Sequence, residues 1–354
     1  MPFQITCEQR ANTIGIDDRV AVLNDGKNRL EIWPALGFNA YRWQIGTAEL
    51  LYRSPDLFTE NRPSRSGCPI LFPFPNRIRD GQFTWPLGTE PTGPSSSPLA
   101  PGPSPGGRGE KYTLPTNDPI KKNAIHGFVY QRPWRIVDQG ANASSAWITG
   151  EFHGSVDAPE TSALWPADYR LRVTYRLFDH VLRVEADADN PDTKPLPFGV
   201  GYHPYFALAP FGGPQALITV GASKCWELID NLPTGKLLDL DASRDLRNGR
   251  SFSALQLDDV MTNLFTYAYD QHDSLGMTGV VQHPGGKGML TLWTSEAFRE
   301  MVLFTPPHRE AVCLEPYTCT TDAINLSPRG IDAGLRTLQP GEHWQGIVEM
   351  HLAY

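Results

Sequence analysis

Tyr169-Arg170-Leu171-Arg172-Val173-Thr174-Tyr175-Arg176-Leu177-Phe178-Asp179-His180-Val181-Leu182-Arg183-Val184-Glu185-Ala186-Asp187-Ala188-Asp189 alternates apolar and polar side chains on both sides of Asp179-His180. Tyr169, Leu171, Val173, Tyr175 and Leu177 share one parity, and Arg170, Arg172, Thr174 and Arg176 share the other. After the break, Leu182, Val184, Ala186 and Ala188 alternate with Arg183, Glu185, Asp187 and Asp189. Successive residues of a strand point to opposite faces, so a period of two predicts an antiparallel hairpin with one buried face and one wet face. With Asp179 and His180 as the loop, Arg172 stands opposite Asp187 and Arg170 opposite Asp189. Opposed charges across a strand pair contribute about 0.2–1 kcal/mol each. The turn lacks the glycine that two-residue hairpins favour.

The same rhythm recurs at Leu30–Trp33, Ala40–Ile45, Ala146–Phe152, Met289–Trp293, Met301–Phe304 and Trp344–Leu352. Helical periodicity is scarce. Many strands divided by Gly, Pro, Asn and Asp predict an all-β chain built as a large, mostly antiparallel sandwich. From Pro86 to Gly109 the composition changes to Pro, Ser and Gly, which cannot build a core, so a flexible or disordered segment is expected there. It lies between two short strand candidates, Gln82–Trp85 and Lys111–Leu114. Loop closure costs little more as a loop lengthens, so 86–109 reads as an extended hairpin tip within one domain spanning 1–354.

The 354 residues carry a formal charge of −8, which argues against nucleic acid and against an anionic membrane surface. There is no run of about 18 or more apolar residues to span a membrane. The N-terminus lacks the basic and apolar regions of a secretory signal, so a cytoplasmic location is expected. The five cysteines, Cys7, Cys68, Cys225, Cys313 and Cys319, are scattered and odd in number, which fits reduced thiols. Cys313 and Cys319 invite a reading as metal ligands, but their spacing fits no zinc pattern, and small buried residues are expected.

Four segments hold an ionisable group between prolines, glycines or aromatics. His203, in Gly201-Tyr202-His203-Pro204-Tyr205-Phe206, is an imidazole that can exchange a proton near neutral pH. Glu315, in Leu314-Glu315-Pro316-Tyr317, is a lone carboxylate in a similar setting. Arg77 follows Pro75-Asn76 and suits either a structural ion pair or a guanidinium fork aimed at hydroxyls or an oxyanion. His126 precedes Gly127, which permits a close turn, and suits either packing or a cleft. Asp258-Asp259 is a further candidate for binding hydroxyls. His308 stands near enough to Glu315 to support it. His153, His180, His272 and His283 read as loop residues. The zinc-protease, nucleophile-elbow and P-loop patterns are absent.

In this order, Pro75-Asn76-Arg77-Ile78 with Gly81, His126-Gly127, His203-Pro204-Tyr205-Phe206 and Glu315-Pro316-Tyr317 resemble the aldose 1-epimerase (galactose mutarotase) family. The resemblance runs from about Leu30 to the C-terminus, apart from the 86–109 insertion, where the family closes its hairpin with a short turn. It implies a galactose-mutarotase-like β-supersandwich with a cleft on a concave sheet, no metal or organic cofactor, and a monosaccharide substrate, the chain working as monomer or homodimer. It makes Glu315 the general base and His203 the general acid, with Arg77, Asn76 and His126 positioning the sugar. Asp258, or its neighbour Asp259, binds ring hydroxyls.

The implied reaction interconverts the α and β anomers of free aldohexoses such as galactose or glucose. Glu315 takes the anomeric hydroxyl proton while His203 protonates the ring oxygen; the ring opens, C1 rotates and the ring recloses. That demands an ionised glutamate and a histidine with a pKa at or above about 6.5. The two are expected on opposite sides of a sugar-sized gap. Tyr205 and Phe206 are expected to brace the sheet and hold the imidazole. The alternatives are a hexose-6-phosphate mutarotase, which adds basic residues for the phosphate, and a non-catalytic sugar-binding module. A glycoside hydrolase fits less well, because it usually needs two carboxylates flanking the bond.

Overall fold

The period-two pattern is realised as stacked antiparallel sheets. The computed structural model describes residues 2–86, 109–118, 120–270 and 274–353. Across the hairpin, Arg170 pairs with Asp189 and Arg172 with Asp187, and the strands Arg170–Phe178 and Val181–Asp189 alternate buried and half-buried throughout. Asp179 supplies the turn with a φ of +46°, a left-handed conformation that aspartate tolerates better than most residues. One detail differs from the expected charge pairing. Arg172 turns to Glu151 on the next strand (2.7 Å) and reaches Asp189 at 3.5 Å, while Asp187 accepts from Gln345 at 3.1 Å. Glu151 stands directly opposite Arg172 in the ladder on its other side and Asp189 lies diagonally, so the hairpin register alone does not select its partner.

Among the described residues, this hairpin lies within a ten-stranded sheet together with His343–Ala353, Met289–Ser295 and Leu275–Gln282. A five-stranded sheet holds the N-terminal strands, including Asn28–Trp33 and Asn39–Ile45. An eight-stranded sheet runs in the order Leu232–Asp239, Ala222–Ile229, Asp258–Leu264, Glu300–Phe304, Ala311–Tyr317, Gly201–Tyr202 and Ile70–Leu71, with Tyr205–Ala207 paired to Ala311–Tyr317 beside that path. All the named ladders are antiparallel. No helix among the described residues is long and apolar enough to cross a membrane.

The inner faces of the three sheets meet in one apolar cluster, to which Leu30 and Trp43, Val184 and Leu292, and Leu303 and Leu314 all contribute. Leu314 packs against Gly279 of the ten-stranded sheet, which places the two larger sheets face to face. The other parity of the eight-stranded sheet carries Val260, Val302 and Tyr317, and there the candidate site residues collect. Gln82–Pro86 and Gly109–Thr113 pair as a hairpin, with Phe83 opposite Tyr112. The expected flexible tip, 86–109, otherwise falls at 87–108, outside the described residues.

Candidate functional site

Strand parity brings Glu315 to the site. On Ala311–Tyr317, Val312 and Leu314 enter the core, so Cys313, Glu315 and Tyr317 project from the opposite face. Glu315 is 2% exposed, and the Tyr317 hydroxyl donates to its Oε2 at 2.5 Å. Room for the Tyr317 ring comes from its register partner Gly201, where a Cβ would lie 2.5 Å from that ring. His203 follows the short strand Gly201–Tyr202, and its backbone N–H donates to the Pro69 carbonyl at 3.0 Å. Its imidazole stacks on Tyr205 with 4.7 Å between ring centroids and planes 2° apart. Tyr205 is in turn tied down by its hydroxyl donating to the Ser64 carbonyl. Phe206 is buried in the main core, as a brace of the sheet should be.

His203 Nε2 lies 3.5 Å from Glu315 Oε1. The two side chains therefore touch at the foot of the site; they do not flank a sugar-sized gap. The chemistry accommodates this, because the anomeric and ring oxygens of an aldose are bonded to one carbon. An acid and a base serving two neighbouring oxygens belong side by side.

The remaining candidates arrive from two loops. Arg77-Ile78 pairs with Ala124-Ile125, Ile125 opposite Arg77, and the His126 N–H donates to the Asn76 carbonyl at 2.8 Å. Both turn residues adopt left-handed backbones, Asn76 at φ +55° and His126 at φ +69°. Such conformations cost on the order of 1–2 kcal/mol and survive only where their surroundings demand them. The His126 ring meets the His203 ring edge to face, centroids 5.6 Å apart. Of the two readings left open for Arg77, the structural ion pair is present. Arg77 Nε donates to buried Asp118 at 2.8 Å and its Nη1 to Asn76 Oδ1 at 3.1 Å. Nη2 stays uncommitted among the described residues. Asn76 is itself buried and spends its carbonyls on Arg77 and His126, so it orients those two residues.

Register separates Asp258 from Asp259. Asp258 pairs with Phe304, which pairs with Cys313, so its parity is that of Glu315. Asp259 has the parity of the core residues Leu303 and Met261 and is held by Arg244 at 2.8 Å. Asp258 is exposed at the rim, where Asn231 of the neighbouring hairpin turn donates to it. Asp258→Asn is expected to raise KM for a sugar about tenfold, the order lost with one charged hydrogen bond. Asp259→Asn should leave KM within twofold; the reverse ranking would place the wrong aspartate in the site.

Burial governs the proton positions. It pushes the Glu315 carboxyl well above the ordinary carboxylate range, reinforced by Asp258 and opposed by Tyr317 and Arg77. It pushes His203 down to about 3, with Arg77 adding to the effect and a backbone hydrogen bond opposing it. His126 is driven well below its ordinary value by burial and by the neighbouring His203 and Arg77. The expectation of an ionised glutamate and a histidine at or above its ordinary pKa is opposed by this burial: both groups sit where the charged form loses its water, so Glu315 is shifted toward the carboxylic acid and His203 toward the neutral imidazole.

Several contributors escaped sequence reasoning. Tyr317 had a legible signal, since a residue two beyond Glu315 on a strand shares its face. Asp118 and Asn231 had none, being brought in by the segment between the strands Gly109–Thr113 and Ala124-Ile125 and by a distant hairpin. His308 stacks on Tyr52, centroids 4.4 Å apart, and both lie beside the Tyr205–Cys313 cluster. Glu300, opposite Tyr317 in the ladder, is fully buried, with Trp226 Nε1 donating to its Oε2 at 3.0 Å and Arg299 3.4 Å from its Oε1. Burial, opposed by those contacts, raises its carboxyl from 4.5 to about 7. Between those values the unfolded chain releases a proton that the folded protein keeps, so stability falls as pH rises, by on the order of 3 kcal/mol. Glu300→Gln is expected to match the parent below about pH 4.5 and to melt several degrees higher above about pH 7. A melting difference that does not grow with pH would contradict this.

Comparison with known proteins agrees with the geometry. The sequence matches the model of the aldose 1-epimerase family over residues 101–351. The uncharacterized protein YihR of Escherichia coli (strain K12) is 24% identical over 293 residues, 81% of each chain. A galactose mutarotase-like protein from Clostridium acetobutylicum shares the fold with a TM-score of 0.81, at 20% identity and over 99% of both chains. Galactose 1-epimerase from Lactobacillus acidophilus NCFM does so with a TM-score of 0.73, at 15% identity and over 99% of both chains. The fold is galactose mutarotase-like, and the chain belongs to the aldose 1-epimerase family.

Proposed function

We propose that this protein is an isomerase that interconverts the α and β anomers of free aldohexoses such as galactose or glucose. The observation that carries the reading is the contact between His203 Nε2 and Glu315 Oε1 at 3.5 Å, with Arg77, His126 and Asp258 around it. Ring opening removes a proton from the anomeric hydroxyl, adds one to the ring oxygen, breaks C1–O5 and makes the C1 carbonyl. With Glu315 as base and His203 as acid, the pair passes from carboxylate and imidazolium to carboxylic acid and imidazole. Reclosure on the other face of C1 reverses both transfers. One proton stays on the pair throughout, and the distribution favoured by burial in the sugar-free site is that of the open-chain state. The hydroxyls of a bound sugar favour the ionic distribution needed for opening, and Arg77 favours its carboxylate half while opposing its imidazolium half.

Polarimetry or NMR of freshly dissolved α-glucose and α-galactose tests the reading. The protein should speed anomer equilibration by orders of magnitude, and no acceleration over the spontaneous rate for any free aldohexose would sink it. Faster turnover of glucose 6-phosphate than of glucose would move the assignment to a phosphosugar mutarotase.

The shared proton also sets the pH profile. A second proton, on His203, stops the reaction in acid, and loss of the last proton, from Glu315, stops it in alkali. Because burial lowers the first of these values to about 3 and raises the second, the acid limb of kcat/KM should lie near pH 3 and the alkaline limb well above the ordinary glutamate value. An acid limb with an apparent pKa near 6.5 would mean that His203 titrates alone, as an ordinary imidazole (about 6.5) does.

A further inference from the structure

His203, Cys313 and Glu315 converge on one point. An imidazole nitrogen, the thiol sulfur and a carboxylate oxygen all lie within 4.8 Å of one another, and all three residues are buried. Parity on one strand places Cys313 beside Glu315, and its register partner Tyr205 is the ring on which His203 stacks. Each side chain has donor capacity left. Tyr317 occupies Oε2 of Glu315 and leaves Oε1 facing His203. Cys313 is a free thiol, and His203 turns its Nε2 toward Glu315 Oε1. Proton transfer to a sugar makes no use of Cys313.

We infer that this constellation captures a soft divalent cation, Zn²⁺ foremost, on His203, Cys313 and Glu315, and that the bound ion competes with the sugar. Thiolate and imidazole donors select zinc-like ions over magnesium or calcium. Zinc ligands at about 2.0–2.3 Å in a tetrahedron stand roughly 3.3–3.8 Å apart, so the His203–Glu315 spacing of 3.5 Å already fits, and the thiol lies within 4.8 Å of both. Charge balances as well. Bound as thiolate and carboxylate, Cys313 and Glu315 supply two negative charges that neutralise the divalent ion, any protons they hold leave as it enters, and the cost of an isolated buried charge is avoided. The fourth position is left to water. The ion would occupy the lone pair of His203 and the carboxylate of Glu315, the groups assigned to proton transfer. Its inhibitory effect rests on the proposed function, whereas its binding does not.

Titrating the metal-free protein with Co²⁺ tests binding without reference to catalysis. One equivalent should produce a near-ultraviolet thiolate-to-cobalt band that Zn²⁺ displaces, that Cys7→Ser retains and that Cys313→Ala loses. Absence of the band, or its survival in Cys313→Ala, overturns the site. Should Cys313→Ala fail to fold by circular dichroism, His203→Gln decides: Co²⁺ affinity must fall at least tenfold, and unchanged affinity overturns the assignment. In the anomer assay, Zn²⁺ should inhibit at least tenfold, EDTA should restore the rate, and Cys313→Ala should keep activity and resist the metal. A band without inhibition of an active enzyme overturns the competition. A protein that shows the band but turns over no sugar keeps the metal site and loses the catalytic reading.

Discussion

Glu315→Gln is expected to lower kcat for anomer interconversion by about 10²–10⁴-fold, with KM nearly unchanged. The amide has the shape of the carboxyl, and its oxygen can still accept from the Tyr317 hydroxyl that now lies 2.5 Å from Glu315 Oε2. What it cannot do is hold the proton that the pair passes between two sugar oxygens. His203→Gln should cost a comparable factor for the same reason. The double variant should be little worse than either single one, because two groups that carry one proton between them act as a unit. Glu315→Gln within tenfold of the parent, with an unchanged circular dichroism spectrum, would remove the carboxylate from the chemistry. A double variant whose loss equals the product of the two would mean that His203 and Glu315 work independently, despite their contact.

The second large effect falls on stability. Gly127→Ala is expected to destabilise the fold by about 2–4 kcal/mol, combining left-handed backbone strain with overpacking. Gly127 has a φ of +71°, and a Cβ there would lie 2.0 Å from the Phe72 carbonyl oxygen. That carbonyl accepts the Phe128 N–H at 2.8 Å, so relieving the clash pulls apart the contact that seats His126. Gly15→Ala is the control, since Gly15 has a φ of +76° with nothing within 4 Å of the added carbon. It should show the strain alone, about 1 kcal/mol. Chemical denaturation of both variants separates the terms. Equal losses would mean that the Phe72 contact yields freely.

The strands and their faces were legible because strand parity is a local property. The alternation from Tyr169 to Asp189 predicted its own register, and the same parity places Glu315 opposite the core residues Val312 and Leu314. The segments around Arg77, His126, His203 and Glu315 could be singled out because a charged group between prolines and glycines is unusual in a strand-rich chain. Local pattern reached no further. Arg172 faces Asp187 in one ladder yet pairs with Glu151, its directly opposed partner in the other, because a strand inside a sheet offers each side chain two partners.

The sequence by itself determined an all-β architecture, the register of its central hairpin and the side chains worth suspecting. Only the tertiary structure decided which of them meet and in which direction burial shifts their titration. Asp258 and Asp259 are adjacent in the chain, and only the ladder to Phe304 and Leu303 sends one to the rim and the other to the core side. Cys313 joins His203 and Glu315 through register with Tyr205. The proton shared by His203 and Glu315 depends on how much water the surrounding sheets exclude. Parity and composition travel along the chain and can be read from it, whereas desolvation and contact belong to distant segments packed together.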